Sequence, residues 1–226
     1  MNMVMSGIGT GTISLTIKNI DMHRKEIITT GKKLEEAKKA LILLHGRGAS
    51  AEDILRLVPY LNVEEYALLA PQATNHTWYP YSFLVARNQN EPWLTSALDL
   101  ITEIVHDINK AGITKDQIYF LGFSQGACLT LEYVTRNATK WGGAVAFTGG
   151  LIGDKINPEN YSGDFQGTPI FIGTSNPDPH VPAERVNETA AFLKNMNARV
   201  TEKVYHNMGH TISEDEIDKA NQLVFI

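Results

Sequence analysis

One cysteine, Cys128, stands in the whole 226-residue chain, so no intramolecular disulfide can form and the fold must be held by its core. An excess of positive charge is lacking too. Lys and Arg number 20 against 25 Asp and Glu, for a formal net charge of −5. The signs are interspersed, with no basic stripe of the kind that phosphate-backbone binding requires, so nucleic acid is excluded as an expected partner. No uninterrupted apolar run is long enough to span a bilayer, and residues 1–20 lack the charged region and apolar core of a secretory signal. The expectation is a soluble, cytoplasmic protein without membrane insertion. In that setting the Asn-x-Thr sequons at Asn75, Asn137 and Asn187 read as chance. Repeats, low-complexity tracts and Pro/Ser-rich linkers are absent as well, which leads us to expect one domain over residues 1–226. What is present is ordinary globular material, 43% hydrophobic and 20% charged, enough for a sizeable core.

Short apolar runs alternate with segments of helical periodicity. Ile13, Leu15 and Ile17 alternate with polar residues, and the pattern resumes at Ile27 and Ile28 across a turn at 19–25, which predicts an amino-terminal β-hairpin. Residues 40–44 (ALILL) are continuously apolar and run into Gly46, as a strand buried on both faces does. Ser50, Glu52 and Asp53 have the shape of a capping box and open a helix expected to reach Leu61. A strand at 66–69 and a long connection from Pro71 follow. The most periodic helix begins near Pro92, with Ala97, Ile101, Ile104, Val105 and Ile108 on one stripe and Gly112 beyond its end. Further strands are expected at 118–121, 144–147, 169–172 and 200–205, and helices from Gln125, Pro182 and Glu214. Such alternation implies βαβ units with right-handed crossovers, hence an α/β fold with a mostly parallel central sheet and helices on both faces. In such a sheet the chemistry lies at the carboxyl ends of the strands.

Directly after the 118–121 strand comes Gly122-Phe123-Ser124-Gln125-Gly126, and after it a helix. This G-x-S-x-G sits in the strand, turn and helix context that makes Ser124 a candidate nucleophile of the α/β-hydrolase kind. The turn is sharp enough that side chains at the glycines would collide with neighbouring elements. The competing reading is a serine that merely caps the helix. Cys128, one turn later, reads as a small buried packing residue.

That fold orders its catalytic groups Ser, then Asp or Glu, then His. Asp178 follows the 169–172 strand, and His210 follows the 200–205 strand in Asn207-Met208-Gly209-His210. Asp154 and Asp164 compete for the acid but fall in polar loop sequence. His206 competes for the base but continues the strand, whereas Gly209 frees the chain to swing His210 inward. A carboxylate on one imidazole nitrogen would leave the other to take the serine proton. His45-Gly46-Arg47-Gly48, at the end of the 40–44 strand, occupies the place of the second oxyanion donor, so the N–H groups of Arg47 and Gln125 are the expected pair. An ordinary strand-to-helix turn with His45 hydrogen-bonded in the core is the competing reading. Within the long connection, Trp78, Tyr79, Tyr81 and Phe83 are read as walls of a substrate pocket, with a local core or a dimer contact as the alternatives.

With these pieces in place, the chain resembles the phospholipase/carboxylesterase family of small α/β-hydrolases, which includes acyl-protein thioesterases. The resemblance rests on Leu43-Leu44-His45-Gly46-Arg47-Gly48, Gly122 to Ala127, Asp178-Pro179-His180-Val181-Pro182 and Met208-Gly209-His210, in the correct order. It implies a fold without a large cap domain, hydrolysis of carboxylic esters with neither cofactor nor metal, a small-molecule ester substrate, and compatibility with a homodimer. A serine carboxylesterase for small to medium acyl or aryl esters is the leading expectation. Acyl-protein thioesterase and lysophospholipase are the alternatives within the class. Two departures from the thioesterase pattern, the 71–92 connection and Arg47 in place of an apolar residue, point away from a long acyl chain. The rival outside the class is a binding module that has lost turnover. Its mark would be a missing catalytic residue, and none is missing.

Overall fold

The computed structural model describes residues 22–226. Among the described residues seven strands form one sheet in the order β1-β3-β2-β4-β5-β6-β7. They are β1 (Ile27–Gly31), β2 (Lys39–Leu44), β3 (Tyr66–Pro71), β4 (Ile118–Phe123), β5 (Gly143–Phe147), β6 (Pro169–Asn176) and β7 (Arg199–His206). Strand β1 pairs antiparallel with β3, and every other pairing is parallel. The first half of the expected amino-terminal hairpin, around Ile13 to Ile17, lies outside the described residues. Its second half is β1, at the edge of the sheet among the described residues.

The described residues also form the α-helices α1 (Ala51–Leu55), α2 (Trp93–Lys110), α3 (Gln125–Arg136), α4 (Ala183–Asn195) and α5 (Glu214–Leu223). Strand alternation divides the interior in two. Ile42, Leu44, Phe120 and Ile172 face a core shared with Ile101 and Ile104 of α2, Leu129 of α3 and Val186 of α4. Their neighbours Leu41, Leu43, Leu121 and Phe171 face the other side, with Ile54 of α1 and Ala220 of α5. Because β2 and β4 are covered on both faces, their sequences are continuously apolar rather than alternating.

Two expectations shift. Helix α1 stops at Leu55 instead of reaching Leu61, and a short 3₁₀ turn takes over at Val58–Tyr60. Pro59 explains this, since it lacks the N–H for an α-helical bond and its ring would meet the carbonyl of Leu55. Several strands also run longer than their apolar cores, β6 reaching Asn176 and β7 reaching His206. Among the described residues no inserted domain caps the carboxyl ends of the strands, and no helix is long and apolar enough to cross a membrane.

Phe120, at the centre of the sheet, is fully buried, 5.1 Å from the ring of Trp141 edge-on and 5.6 Å from that of Tyr133. Phe120→Ala is expected to lower unfolding free energy by about 3–5 kcal/mol in urea titration, the usual cost of emptying an aromatic site. A loss under about 1 kcal/mol would show that this layer repacks freely.

Candidate active site

Between β4 and α3 the chain reverses at Ser124, whose φ of 54° and ψ of −117° lie in a region that non-glycine residues seldom enter. The conformation is imposed by contacts on either side. A Cβ at Gly126 would come within 2.1 Å of the Leu44 carbonyl oxygen on β2, and one at Gly122 within 2.3 Å of the Gly126 carbonyl oxygen. Only glycine lets strand and helix approach so closely. The Ser124 N–H donates to the Phe147 carbonyl at 2.9 Å, and its own carbonyl accepts from Cys128 N–H at 3.0 Å. Ser124 is thereby held at the head of α3, above the sheet.

Three loops converge here. His210 Nε2 lies 2.8 Å from Ser124 Oγ, and His210 Nδ1 lies 2.9 Å from Asp178 Oδ2. The other oxygen of Asp178 accepts from the N–H groups of His180 and Val181, both at 2.8 Å. Burial pushes the Asp178 carboxyl up, but the bonds from His180, His210 and Val181 together outweigh it and leave its pKa below the ordinary value. An ionised carboxylate can only accept, so Nδ1 carries the imidazole proton and Nε2 is left as the acceptor facing the serine hydroxyl. The Asp178 side chain is fully buried, while that of His210 is 20% exposed, open to the cleft. His210 also stacks against Phe123, with centroids 5.2 Å apart, and meets His180 edge-on at 4.9 Å.

The competing groups stand elsewhere. His206 is exposed at the end of β7, Asp154 is exposed, and Asp164 is spent on Gln166 N–H and the Asn197 amide. Cys128 is buried, and burial pushes its thiol up to about 12, so it stays protonated. Among the described residues no group of three or more His, Cys, Asp or Glu side chains is placed to hold a metal ion.

Arg47 and Gln125 sit on the two turns that flank the serine. Among the described residues, neither backbone N–H donates to a protein acceptor, whereas those of Gly48 and Ser124 do. Their side chains do something the sequence did not announce. The buried Gln125 amide accepts from Trp78 N–H at 2.9 Å and donates to the Tyr79 carbonyl at 2.7 Å. The Arg47 guanidinium donates to Thr77 Oγ1 and the Pro80 carbonyl, both at 2.9 Å, and to the Tyr81 carbonyl at 2.7 Å. Asn90, fully buried, holds the same connection from behind through Tyr81 N–H and the Ser82 carbonyl. No local pattern could have singled out Asn90 or the Gln125 amide, because their partners lie in irregular chain.

The result is a cleft of about 550 Å³ lined by Ser124 and His210 together with Tyr79, Tyr81, Phe83 and Val181 among others. Trp78, expected in this wall, is corrected. It is fully buried away from the cleft, its indole N–H donating to the His45 carbonyl at 2.8 Å, whereas the equally buried Tyr79 reaches the cleft wall. His45 is buried as well. Ala73 N–H donates to its Nε2 at 3.1 Å and its Nδ1 lies 2.8 Å from the Gly46 carbonyl, which fixes the neutral Nδ1–H form.

A mostly parallel sheet carrying a strained serine elbow, with imidazole and carboxylate at two further strand ends, defines an α/β-hydrolase. A family model described as phospholipase/carboxylesterase matches residues 24–225. The crystal structure of a phospholipase/carboxylesterase from Dyadobacter fermentans DSM 18053 is 55% identical with a TM-score of 0.90, covering 91% of this chain and 98% of that one. Acyl-protein thioesterase 1 of Saccharomyces cerevisiae is 26% identical over 212 residues, 82% of this chain and 91% of its own. A probable carboxylesterase of Oryza sativa subsp. japonica is 24% identical over 204 residues, 81% and 86% of the two chains. The chain belongs to the phospholipase/carboxylesterase family, and that membership makes it a carboxylic ester hydrolase.

Burial holds His45 and His23 below the ordinary histidine value of 6.5, against the opposing pull of the Gly46 and Trp78 carbonyls. As pH falls below that value the unfolded chain takes up protons that the folded chain refuses, so stability is lost on acidification. Glu216, raised by its burial, acts in the opposite sense from 4.5 upward, so a variant is needed to isolate the histidine contribution. His23→Gln, whatever its stability near neutrality, should lose less of it between about pH 7 and 5 than the wild type in urea titrations. Equal losses would remove His23 as a coupled proton site.

Proposed function

We propose that the chain works as one α/β-hydrolase domain, a serine carboxylesterase that cleaves small to medium acyl or aryl esters by two-step acyl transfer. Ser124 Oγ attacks the ester carbonyl carbon while His210 Nε2 takes its proton. The carbon–oxygen bond to the leaving group then breaks, and the proton passes from His210 to the departing alkoxide. Water next enters, gives a proton to His210, and attacks the acyl-enzyme carbon. Acid is released and Ser124 recovers its hydrogen. Asp178 holds the imidazole in the reactive tautomer and stabilises it when charged.

The observation that carries this reading is the unbroken relay from Asp178 Oδ2 through His210 to Ser124 Oγ, at 2.9 and 2.8 Å. In support, the N–H groups of Arg47 and Gln125 have no competing protein acceptor among the described residues. In this mechanism both donate to the oxyanion, each such donor being typically worth about 3 kcal/mol in the transition state. Tyr79, Tyr81 and Phe83 supply apolar walls for the acyl or aryl part.

On p-nitrophenyl acetate or butyrate, Ser124→Ala is expected to lose on the order of 10⁴-fold or more in kcat and to resist a fluorophosphonate probe that labels the wild type. Asp178→Asn should lose on the order of 10³–10⁴-fold, through the wrong imidazole tautomer. A folded Ser124→Ala enzyme with full activity would remove the assignment.

A further inference from the structure

Arg47 is held in an arrangement that the oxyanion role of its backbone does not explain. Among the described residues lining the cleft none is Asp or Glu, and Arg47 alone carries a permanent charge. It makes no ion pair among the described residues. Its protein acceptors are neutral: the Thr77 hydroxyl and the carbonyls of Pro80 and Tyr81. The carboxylate of the site, Asp178, is buried and already taken by His210, His180 and Val181.

Counting donors shows what is left over. A guanidinium has five N–H groups in a rigid fork. Nη1 spends both of its hydrogens, on Thr77 and Pro80, and Nη2 spends one on Tyr81. No protein acceptor is found for the Nε–H or for a second Nη2–H among the described residues, and Nε and Nη2 share one edge of a guanidinium, the edge that can receive both oxygens of a carboxylate. The three bonds already made pin the group against residues 77–81, whose neighbours Tyr79 and Phe83 wall the cleft. A neutral substrate entering there would strip water from two cationic donors and return nothing, which is costly. A carboxylate would replace that water with two charge-assisted bonds.

We infer that the Arg47 side chain sets substrate choice: the cleft takes esters that carry a carboxylate on the acyl or the leaving group, gripped side-on by Nε and Nη2. This rests on the esterase reading above, and the test separates the two. Wild type, Arg47→Met and Arg47→Lys are compared on two matched pairs, with Ser124→Ala as the background control. Mono-p-nitrophenyl succinate and its methyl ester place the charge on the acyl side. 4-Acetoxybenzoate and its methyl ester place it on the leaving side.

In at least one pair, the anionic-to-neutral ratio of kcat/KM should fall about tenfold or more in Arg47→Met, with Arg47→Lys between Met and wild type. Losing the clamp on residues 77–81 would slow both members of a pair alike and cancel in the ratio. Ratios unchanged within about twofold in both pairs would overturn the inference. Should the variants fail to fold, the wild type still decides. Added salt should raise KM for the anionic member only, and equal salt responses in both pairs would overturn the inference. A wild type that cleaves neither member of either pair above the Ser124→Ala background refutes the esterase reading itself, whereas cleavage with no charge preference refutes only the role given to Arg47.

Discussion

The close approach of α3 to β2 and β4 at Gly122 and Gly126 is the constraint on which the site depends. With any side chain at those positions the helix would have to retreat, and the backbone at Ser124 would relax out of its left-handed twist. Strain of this kind persists only where the surroundings over-determine it. Here they do: Phe147 and Cys128 fix the serine backbone on two sides, and the fully buried strands on either flank cannot yield. The rigid sheet thus stores a local cost in exchange for a hydroxyl raised above its edge, next to the amino end of a helix.

A second set of interactions turns an irregular connection into a wall. Residues 71–92 have little regular structure to satisfy their own backbone, so side chains supply the partners instead. Gln125 takes the backbone at Trp78 and Tyr79, Arg47 the carbonyls of Pro80 and Tyr81, and Asn90 the opposite side of Tyr81 and Ser82. Two of these three anchors come from the turns that flank the serine. The shape of the cleft is therefore tied to the same backbone that holds the Ser124 hydroxyl, and a displacement of one would displace the other.

Electrostatics within the site follow from unequal burial. The Asp178 side chain is sealed from solvent yet kept ionised by three donors, whereas burial of Cys128 outweighs its bonds from Gly150 and Tyr79 and the thiol remains neutral. A carboxylate so held orients one imidazole tautomer, and a thiol so held stays out of the chemistry. Arg47 is the reverse case, an exposed charge in the cleft wall with no ion-pair partner among the described residues, its guanidinium 5.9 Å from the Tyr79 ring centroid.

The strand and helix succession was legible in residue order because buried strands read as short apolar runs and α2 carries an uninterrupted helical stripe. The motif around Ser124 was legible for the same reason, since local sterics demand its glycines. Pro59 shows the limit of periodicity alone, as it ended α1 early despite apolar spacing that continued. Trp78 shows another: four aromatics in one connection look alike in sequence, yet the packing buries Trp78, Tyr79 and Phe83, leaves Tyr81 exposed, and keeps only Trp78 away from the cleft. Composition and local pattern determined the class of fold and the positions at which reactive groups could stand, because periodicity and turn sterics act between near neighbours. Tertiary structure alone decided that residues 124, 178 and 210 meet within hydrogen-bonding distance, and that Arg47 reaches across to residues 77–81. Those contacts join segments 30 to 86 residues apart in the chain, and no short-range rule specifies them.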